Sequence, residues 1–170
     1  MTHHSREPLA AQEEEPDPQV LAEEVARAMF RVDGAARHLG IRIEHIAPGS
    51  ARLSMKLRAE MLNSHQTGHG GFLFALADTA FAYACNARNL ATVASGCSID
   101  YVAPAYLGDT LTAVAEERAL SGRTGVYDVT VTNQKGEVIA FFRGKSYRIR
   151  GTAMPAETSP KSTTRGEIQA

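Results

Sequence analysis

The sequence predicts an α+β domain in which one long buried helix is wrapped by a curved antiparallel sheet. Two observations carry this prediction. Residues 71–88 are apolar around the whole circumference of a helix, as is typical of a helix covered on nearly all sides. Much of the chain between 41 and 149 alternates apolar and polar side chains with a period of two, which indicates half-buried antiparallel strands.

The elements follow one another in a simple order. Asp17-Pro18 predicts the start of a short N-terminal helix, because Asp accepts orphan N–H bonds and Pro suits the first turn, and this helix ends near Asp33-Gly34. The predicted strands cover about residues 41–45, 52–58, 92–103, 110–119, 124–133 and 137–149, with the long helix between the second and the third. A single buried helix held in a curved antiparallel sheet is the hotdog arrangement.

The composition fits an ordinary soluble globular protein, with 44% hydrophobic and 22% charged residues in 170. The net charge of −1 is unevenly spread, because seven of the 19 carboxylates lie between Glu7 and Glu24. Residues 25–150 hold 10 acidic and 15 basic side chains, a balance of +5. This charge is too small for a dedicated nucleic-acid-binding protein but suits a phosphorylated small ligand.

Three regions are expected along the chain. Residues 1–16 are acidic and contain prolines, so we expect a disordered arm, and residues 151–170 are expected to form a disordered tail. Residues 17–150 are expected to fold as one domain. The N-terminus lacks the apolar core of a signal peptide, the helix carries a charge in its middle, and only two cysteines occur, without metal-ligand spacing. We therefore expect a cytoplasmic protein with no membrane partner.

The densest chemistry lies between Asn63 and Gly71, in a loop that runs directly into the buried helix. Its glycines let backbone amides approach a ligand, and the start of a helix offers unsatisfied N–H groups with a partial positive charge. This combination predicts an oxyanion site. Asp78 is the only formal charge in the helix, and a buried carboxylate without a partner titrates abnormally. It is a candidate general base or nucleophile, and the alternative is a structural carboxylate bonded to Thr79 or to a neighbouring loop amide.

The spacing of these groups predicts a site shared between two chains. Gly71 and Asp78 are seven residues apart, so they share a helix face but lie about 10 Å apart along its axis. One carbonyl group cannot lie within about 3 Å of both. A two-fold dimer with antiparallel helices would place Asp78 of one chain beside Gly71 of the other.

Other kinds of site do not fit the sequence. Gln66 stands where a zinc protease would need Glu between His65 and His69, and no G-x-S-x-G elbow is present. Cys97, in a strand, is interpreted as a small apolar side chain. Four basic residues of the later strands suit either a solvated face or phosphate contacts: Arg123, Arg143, Lys145 and Arg148.

The stretch from Leu39 to Arg150 resembles the hotdog-fold acyl-CoA thioesterases of the phenylacetic-acid-degradation (PaaI) type. The shared signature is Asn63, five residues, His69-Gly70-Gly71, six residues and Asp78, and the segments 77–87, 98–111 and 125–133 resemble that subfamily as well. The resemblance implies that Asp78 activates water or attacks the thioester, and that the Gly71 amide holds its oxygen. It implies that Asn63 orients the water or the acyl group and that His69 shapes the loop.

The resemblance further implies hydrolysis of phenylacetyl-CoA or hydroxyphenylacetyl-CoA by a homodimer, assembled into a homotetramer, without a metal or redox cofactor. Coenzyme A enters only as part of the substrate. Two alternatives stay open at this point, a hotdog enoyl-CoA hydratase and a non-catalytic acyl-CoA-binding module. The position of Asp78 inside the helix disfavours the hydratase, and the presence of all four site residues disfavours the module.

Overall fold

A computed structural model describes residues 16–154, which form three helices and one six-stranded sheet. The helices are α1 (Pro18–Val32), α2 (Gly34–Leu39) and α3 (Gly70–Asn86), and the strands are β1 (Arg42–Ala47), β2 (Ser50–Lys56), β3 (Thr92–Tyr101), β4 (Thr110–Ser121), β5 (Thr124–Thr132) and β6 (Val138–Arg148), with a turn of 3-10 helix at Ala59–Met61. The predicted arm up to residue 15 and the predicted tail from residue 155 lie outside the described residues.

The N-terminal helix begins as the sequence predicts. The Asp17 carboxylate accepts the backbone N–H of Gln19 at 2.7 Å, and Pro18 occupies the first turn. The helix ends at Asp33, but the chain then forms α2, which the sequence did not predict. The Asp33 carboxylate caps it by accepting the N–H of Ala36 at 2.9 Å, and Gly40 ends it with a φ of 70°.

The sheet has the strand order β1-β2-β4-β5-β6-β3, and every neighbouring pair is antiparallel. The period-two pattern is confirmed in β5, where Tyr127, Val129 and Val131 are buried. The first strand differs from the expected alternation, because the register shifts between Ile43 and His45. This bulge turns the side chain of His45 outward and brings Ile46 into the core.

Helix α3 packs against the concave face of the sheet, so that the predicted hotdog fold is confirmed. The Phe81 ring lies between Tyr127 and Phe142, with ring centroids 5.4 and 5.9 Å away. It also lies directly over Gly144 in β6, where an added Cβ would come within 2.8 Å of the ring. The absence of a side chain at Gly144 therefore lets the helix approach the sheet closely.

One stripe of α3 is less covered than its composition predicts. Gly71 is exposed, while Ala75, Asp78 and Ala82 are only half buried, and these positions follow one another at helical spacing. The stripe borders β3, an edge strand in which eight of ten residues are exposed. The expectation that the helix is covered on nearly all sides does not hold within one chain, and the open stripe carries the only charge of the helix.

The last described residues are held to the loop after α3. The N–H of Ala91 donates to the carbonyl oxygen of Gly151 at 3.1 Å, and the N–H of Met154 donates to the Asn89 side chain at 3.0 Å. Two residues of the predicted tail, Gly151 and Met154, thus bond to the folded domain. Between residues 16 and 154, no helix is long and apolar enough to cross a membrane.

Candidate active site

Asn63 organises the loop that leads into α3. Its Oδ1 accepts the backbone N–H groups of His65 at 2.9 Å and of Thr67 at 3.2 Å, and its Nδ2 donates to Thr67 Oγ1 at 3.0 Å. These bonds hold a turn in which Gln66 has a φ of 60°, a strained conformation for a residue other than glycine. The side chain of Asn63 is therefore engaged in shaping the loop.

The start of α3 leaves one backbone amide available. His69 is the N-cap, and its Nδ1 accepts the N–H of Gly71 at 3.0 Å. Nδ1 therefore acts as the acceptor of the ring in this bond. The amide that the sequence predicted as oxyanion donor, Gly71, is thus occupied. The N–H of Gly70 makes no hydrogen bond within residues 16–154, so this neighbouring amide is the one that can receive a ligand oxygen.

Asp78 is half buried on the open stripe of the helix. Burial raises the pKa of Asp78, and a hydrogen bond from the thiol of Cys97 lowers it in part. The Cys97 Sγ lies 3.8 Å from Asp78 Oδ1. None of the ion pairs in the described part of the chain includes Asp78. The hydroxyl of Thr79 donates to the carbonyl of Ala75, and no backbone amide of the described residues donates to Asp78, so neither bond of the structural alternative is formed.

A cavity of about 470 Å³ lies beside the helix start. It is lined by the loop, by the first turn of α3 and by the segment after β3: Asn63, Thr67, Gly68, Gly70, Leu73, Tyr101, Val102, Ala103, Pro104 and Ala105. Asp78 is absent from this lining. Asp78 lies eight positions after Gly70 in the helix, a distance of about 12 Å along its axis. One chain thus brings Asn63, His69, Gly70 and Gly71 together and leaves the carboxylate apart from them.

The sequence missed three features of this region. Gly70 rather than Gly71 has the open amide, and this choice depends on the direction of the His69 ring, which the sequence does not reveal. Cys97 is exposed and its thiol contacts Asp78, a polar contact that the interpretation of Cys97 as a small apolar side chain did not include. Tyr101 donates from its hydroxyl to the Gly70 carbonyl at 2.8 Å. The period of β3 could have placed Cys97 and Tyr101 on one face.

The His, Cys, Asp and Glu side chains of residues 16–154 form no metal-binding cluster. Over the part of the chain that the structure covers, no group of three or more His, Cys, Asp or Glu side chains lies close enough to hold an ion. The Nδ1 of His69 is engaged in capping α3.

Comparison with known proteins identifies the family. The model of the thioesterase superfamily matches residues 65–140. The acyl-coenzyme A thioesterase PaaI of Escherichia coli K12 is 54% identical over 127 residues, which are 75% of this chain and 91% of that protein. Human acyl-coenzyme A thioesterase 13 is 31% identical over 121 residues, which are 69% of this chain and 86% of that protein.

Solved structures agree with this assignment. The E. coli PaaI protein from the phenylacetic acid degradation operon superposes with a TM-score of 0.79 at 51% identity, covering 80% of this chain and 99% of that one. A hypothetical thioesterase of Streptococcus pneumoniae, solved with coenzyme A, superposes with a TM-score of 0.63 at 28% identity over 65% of this chain and 90% of that one. The chain therefore belongs to the hotdog-fold acyl-CoA thioesterases of the PaaI type, and it is a thioester hydrolase.

Proposed function

We propose that this thioesterase hydrolyses phenylacetyl-CoA or a ring-hydroxylated relative, with Asp78 as the general base. The observation that carries the proposal is the half-buried Asp78 carboxylate, which has a raised pKa and no basic partner among the described residues. Such a carboxylate retains its capacity to accept a proton, because no cation neutralises it. Its place on the open stripe of α3 leaves it accessible to water and substrate.

The chemistry needs only groups of the protein and one water molecule. Asp78 accepts a proton from water while the water oxygen attacks the thioester carbon, and negative charge develops on the carbonyl oxygen. In this proposal the amide of Gly70, at the positive end of α3, stabilises that charge in place of the Gly71 amide, because the Gly70 N–H has no partner among the described residues. Breaking the carbon–sulfur bond then releases the carboxylic acid, and the leaving thiolate of coenzyme A takes up the proton that Asp78 accepted, which restores the carboxylate. Direct attack by the carboxylate is the other route open to Asp78.

The two halves of the site are supplied by two chains in this proposal. Gly70 and Asp78 of one chain are about 12 Å apart, which is too far for one thioester. The edge strand β3 supports a two-fold dimer, because it presents unpaired backbone groups and exposed apolar side chains such as Val93 and Tyr101. Pairing of two β3 strands would bring the open stripes of two α3 helices together. Association of two such dimers gives the homotetramer that the family resemblance implies.

The acyl group is assigned from the cavity and from the family. The lining of the cavity combines apolar side chains, such as those of Leu73, Val102 and Pro104, with the polar backbone of Gly70. This arrangement suits a flat apolar ring next to a polar thioester. We expect no metal or redox cofactor to take part. Both cysteines are free, which is compatible with the reducing conditions of the cytoplasm.

A thiol-release assay over a panel of acyl-CoAs tests the proposal. The panel contains phenylacetyl-CoA, 4-hydroxyphenylacetyl-CoA, benzoyl-CoA, acetyl-CoA and palmitoyl-CoA, each assayed with and without EDTA. We expect the highest kcat/KM for the two phenylacetyl thioesters and no effect of the chelator. A higher kcat/KM for palmitoyl-CoA or acetyl-CoA would contradict the aromatic assignment, while thioester hydrolysis itself would stand.

A further inference from the structure

We propose that Tyr101 is a positioning residue for the amide that binds the thioester oxygen, an inference that rests on the function proposed above. Tyr101 is the last residue of β3, and its hydroxyl donates to the carbonyl oxygen of Gly70 at 2.8 Å. Because this bond is made to the backbone of the helix start, Tyr101 acts through Gly70 and does not itself touch the reacting atoms.

Of the N–H and C=O groups in the two peptide groups that flank Gly70, all but one have a hydrogen-bond partner. In the peptide that follows Gly70, the oxygen is bonded to Tyr101 and the N–H of Gly71 is bonded to His69 Nδ1. In the peptide that precedes it, the His69 oxygen accepts the N–H of Phe72 at 2.9 Å. Only the N–H of Gly70 is left without a partner in the described structure. Glycine has more backbone freedom than any other residue, so external bonds are needed to aim this N–H.

The Tyr101 ring adds a steric restraint to the hydrogen bond. A Cβ built on Gly70 would lie 2.9 Å from Cζ and from the hydroxyl oxygen of Tyr101, so the ring packs directly against the Gly70 backbone. Tyr101 is nevertheless 50% exposed and lines the cavity beside the helix start. A half-exposed aromatic ring contributes little to the core, and its place is better explained by the site that it borders.

The register of β3 along α3 explains why a tyrosine stands at this position. Cys97 and Tyr101 pair with Gly144 and Ala140 of β6, which are buried, so both side chains point to the helix side of the sheet. The four steps of strand from Cys97 to Tyr101 span about 13 Å, and the eight steps of helix from Gly70 to Asp78 span about 12 Å. The strand thus places one side chain at each of the two reactive positions, Cys97 at Asp78 and Tyr101 at Gly70.

Tyr101→Phe tests this role, because it removes the hydroxyl and keeps the ring. We expect kcat for the best acyl-CoA of the panel to fall about three- to tenfold, with KM changed by less than about twofold, since an oxyanion contact acts mainly in the transition state. Binding of an S-alkyl-CoA thioether, which has no carbonyl oxygen, is expected to be unchanged. Partial burial raises the pKa of Tyr101, so the hydroxyl remains a donor across neutral pH and the loss is expected to be independent of pH between 6 and 8.

Tyr106→Phe is the matched control. Tyr106 is 55% exposed in the following loop, and within the described residues no hydrogen bond involves its hydroxyl. The kcat of the Tyr106→Phe variant is expected to equal that of the wild type. The inference about Tyr101 is overturned if Tyr101→Phe keeps the wild-type kcat, if only its KM changes, or if its folded fraction falls in proportion to kcat. A wild-type chain that hydrolyses no acyl-CoA overturns the proposed function and this inference with it, whereas an active wild type with an unaffected variant overturns this inference alone.

Discussion

Asp78→Asn is expected to change activity and stability in opposite directions. The substitution nearly conserves volume and removes the proton acceptor, so kcat is expected to fall by about 10²- to 10⁴-fold. The same change also removes a charge that burial disfavours. Asp78 is half buried, and burial is the main cause of its raised pKa. A catalytic carboxylate held in this way lowers the stability of the fold that carries it.

The sign of the stability effect follows from the two pKa values. Because the pKa of Asp78 is higher in the folded state than in the unfolded state, ionisation at neutral pH favours unfolding. The Asp78→Asn variant has no carboxylate to ionise, so this destabilising effect is absent from it. Since the side chain is only half buried, we expect a gain of about 1 kcal/mol at pH 7, or roughly 2–4 °C in Tm for a domain of this size. The gain should vanish below about pH 3.9, where the carboxyl is protonated in both states.

Asp128→Asn is a matched control with the opposite sign. Hydrogen bonds from Arg143, at 2.7 and 2.9 Å, are the main reason that the pKa of Asp128 is lowered. Its charge therefore stabilises the fold above about pH 3.9, and the variant should lose about 0.5–1 kcal/mol there. Thermal denaturation at pH 7 and pH 3.5, with kcat measured on the same preparations, tests both variants. An Asp78→Asn protein that is less stable than the wild type at pH 7 would refute the argument from burial.

Three further outcomes are expected. The kcat of the wild type should decline in acid as Asp78 is protonated, with a midpoint above the ordinary aspartate value of about 3.9, and a pH–rate profile that is flat down to pH 4 would contradict this. Gly144→Ala should destabilise the domain by about 2–3 kcal/mol in urea unfolding, because its Cβ would lie 2.8 Å from the Phe81 ring, and a change below about 0.5 kcal/mol would show that the helix shifts freely. A chain trimmed to 16–154 should keep the wild-type Tm and kcat, whereas trimming to 16–150 should lower Tm by removing the bonds to the loop after α3.

The sequence predicts the parts of the fold that depend on side-chain periodicity. A strand buries every second residue whatever surrounds it, so β5 could be recognised from its alternation alone. The same reasoning failed at His45. The bulge between Ile43 and His45 reverses which side chains face the core, and the alternation of residue types does not reveal it. Helix α2 was not predicted because its six residues are too few to show a helical pattern. Its formation depends on the capping residues Asp33 and Gly40 at its ends.

The candidate site was predictable in its residues but less so in their contacts. The glycines and Asp78 stand out in the sequence by type and spacing. Which amide is open depends on the rotamer of His69, since its ring binds the N–H of Gly71 and leaves that of Gly70. The contacts of β3 with α3 depend on the register between a strand and a helix, which tertiary packing decides.

The most direct test of the shared site is complementation between two inactive chains. One carries Asp78→Asn, and the other carries Asn63→Ala, which removes the side chain that holds the loop. In a mixed dimer, one site contains both defects and the other has every group intact. Random exchange of equal amounts gives half mixed dimers, so about a quarter of the wild-type activity should return. Mass-tagged chains report the exchange, and proven mixed dimers without recovered hydrolysis would contradict a site built from two chains.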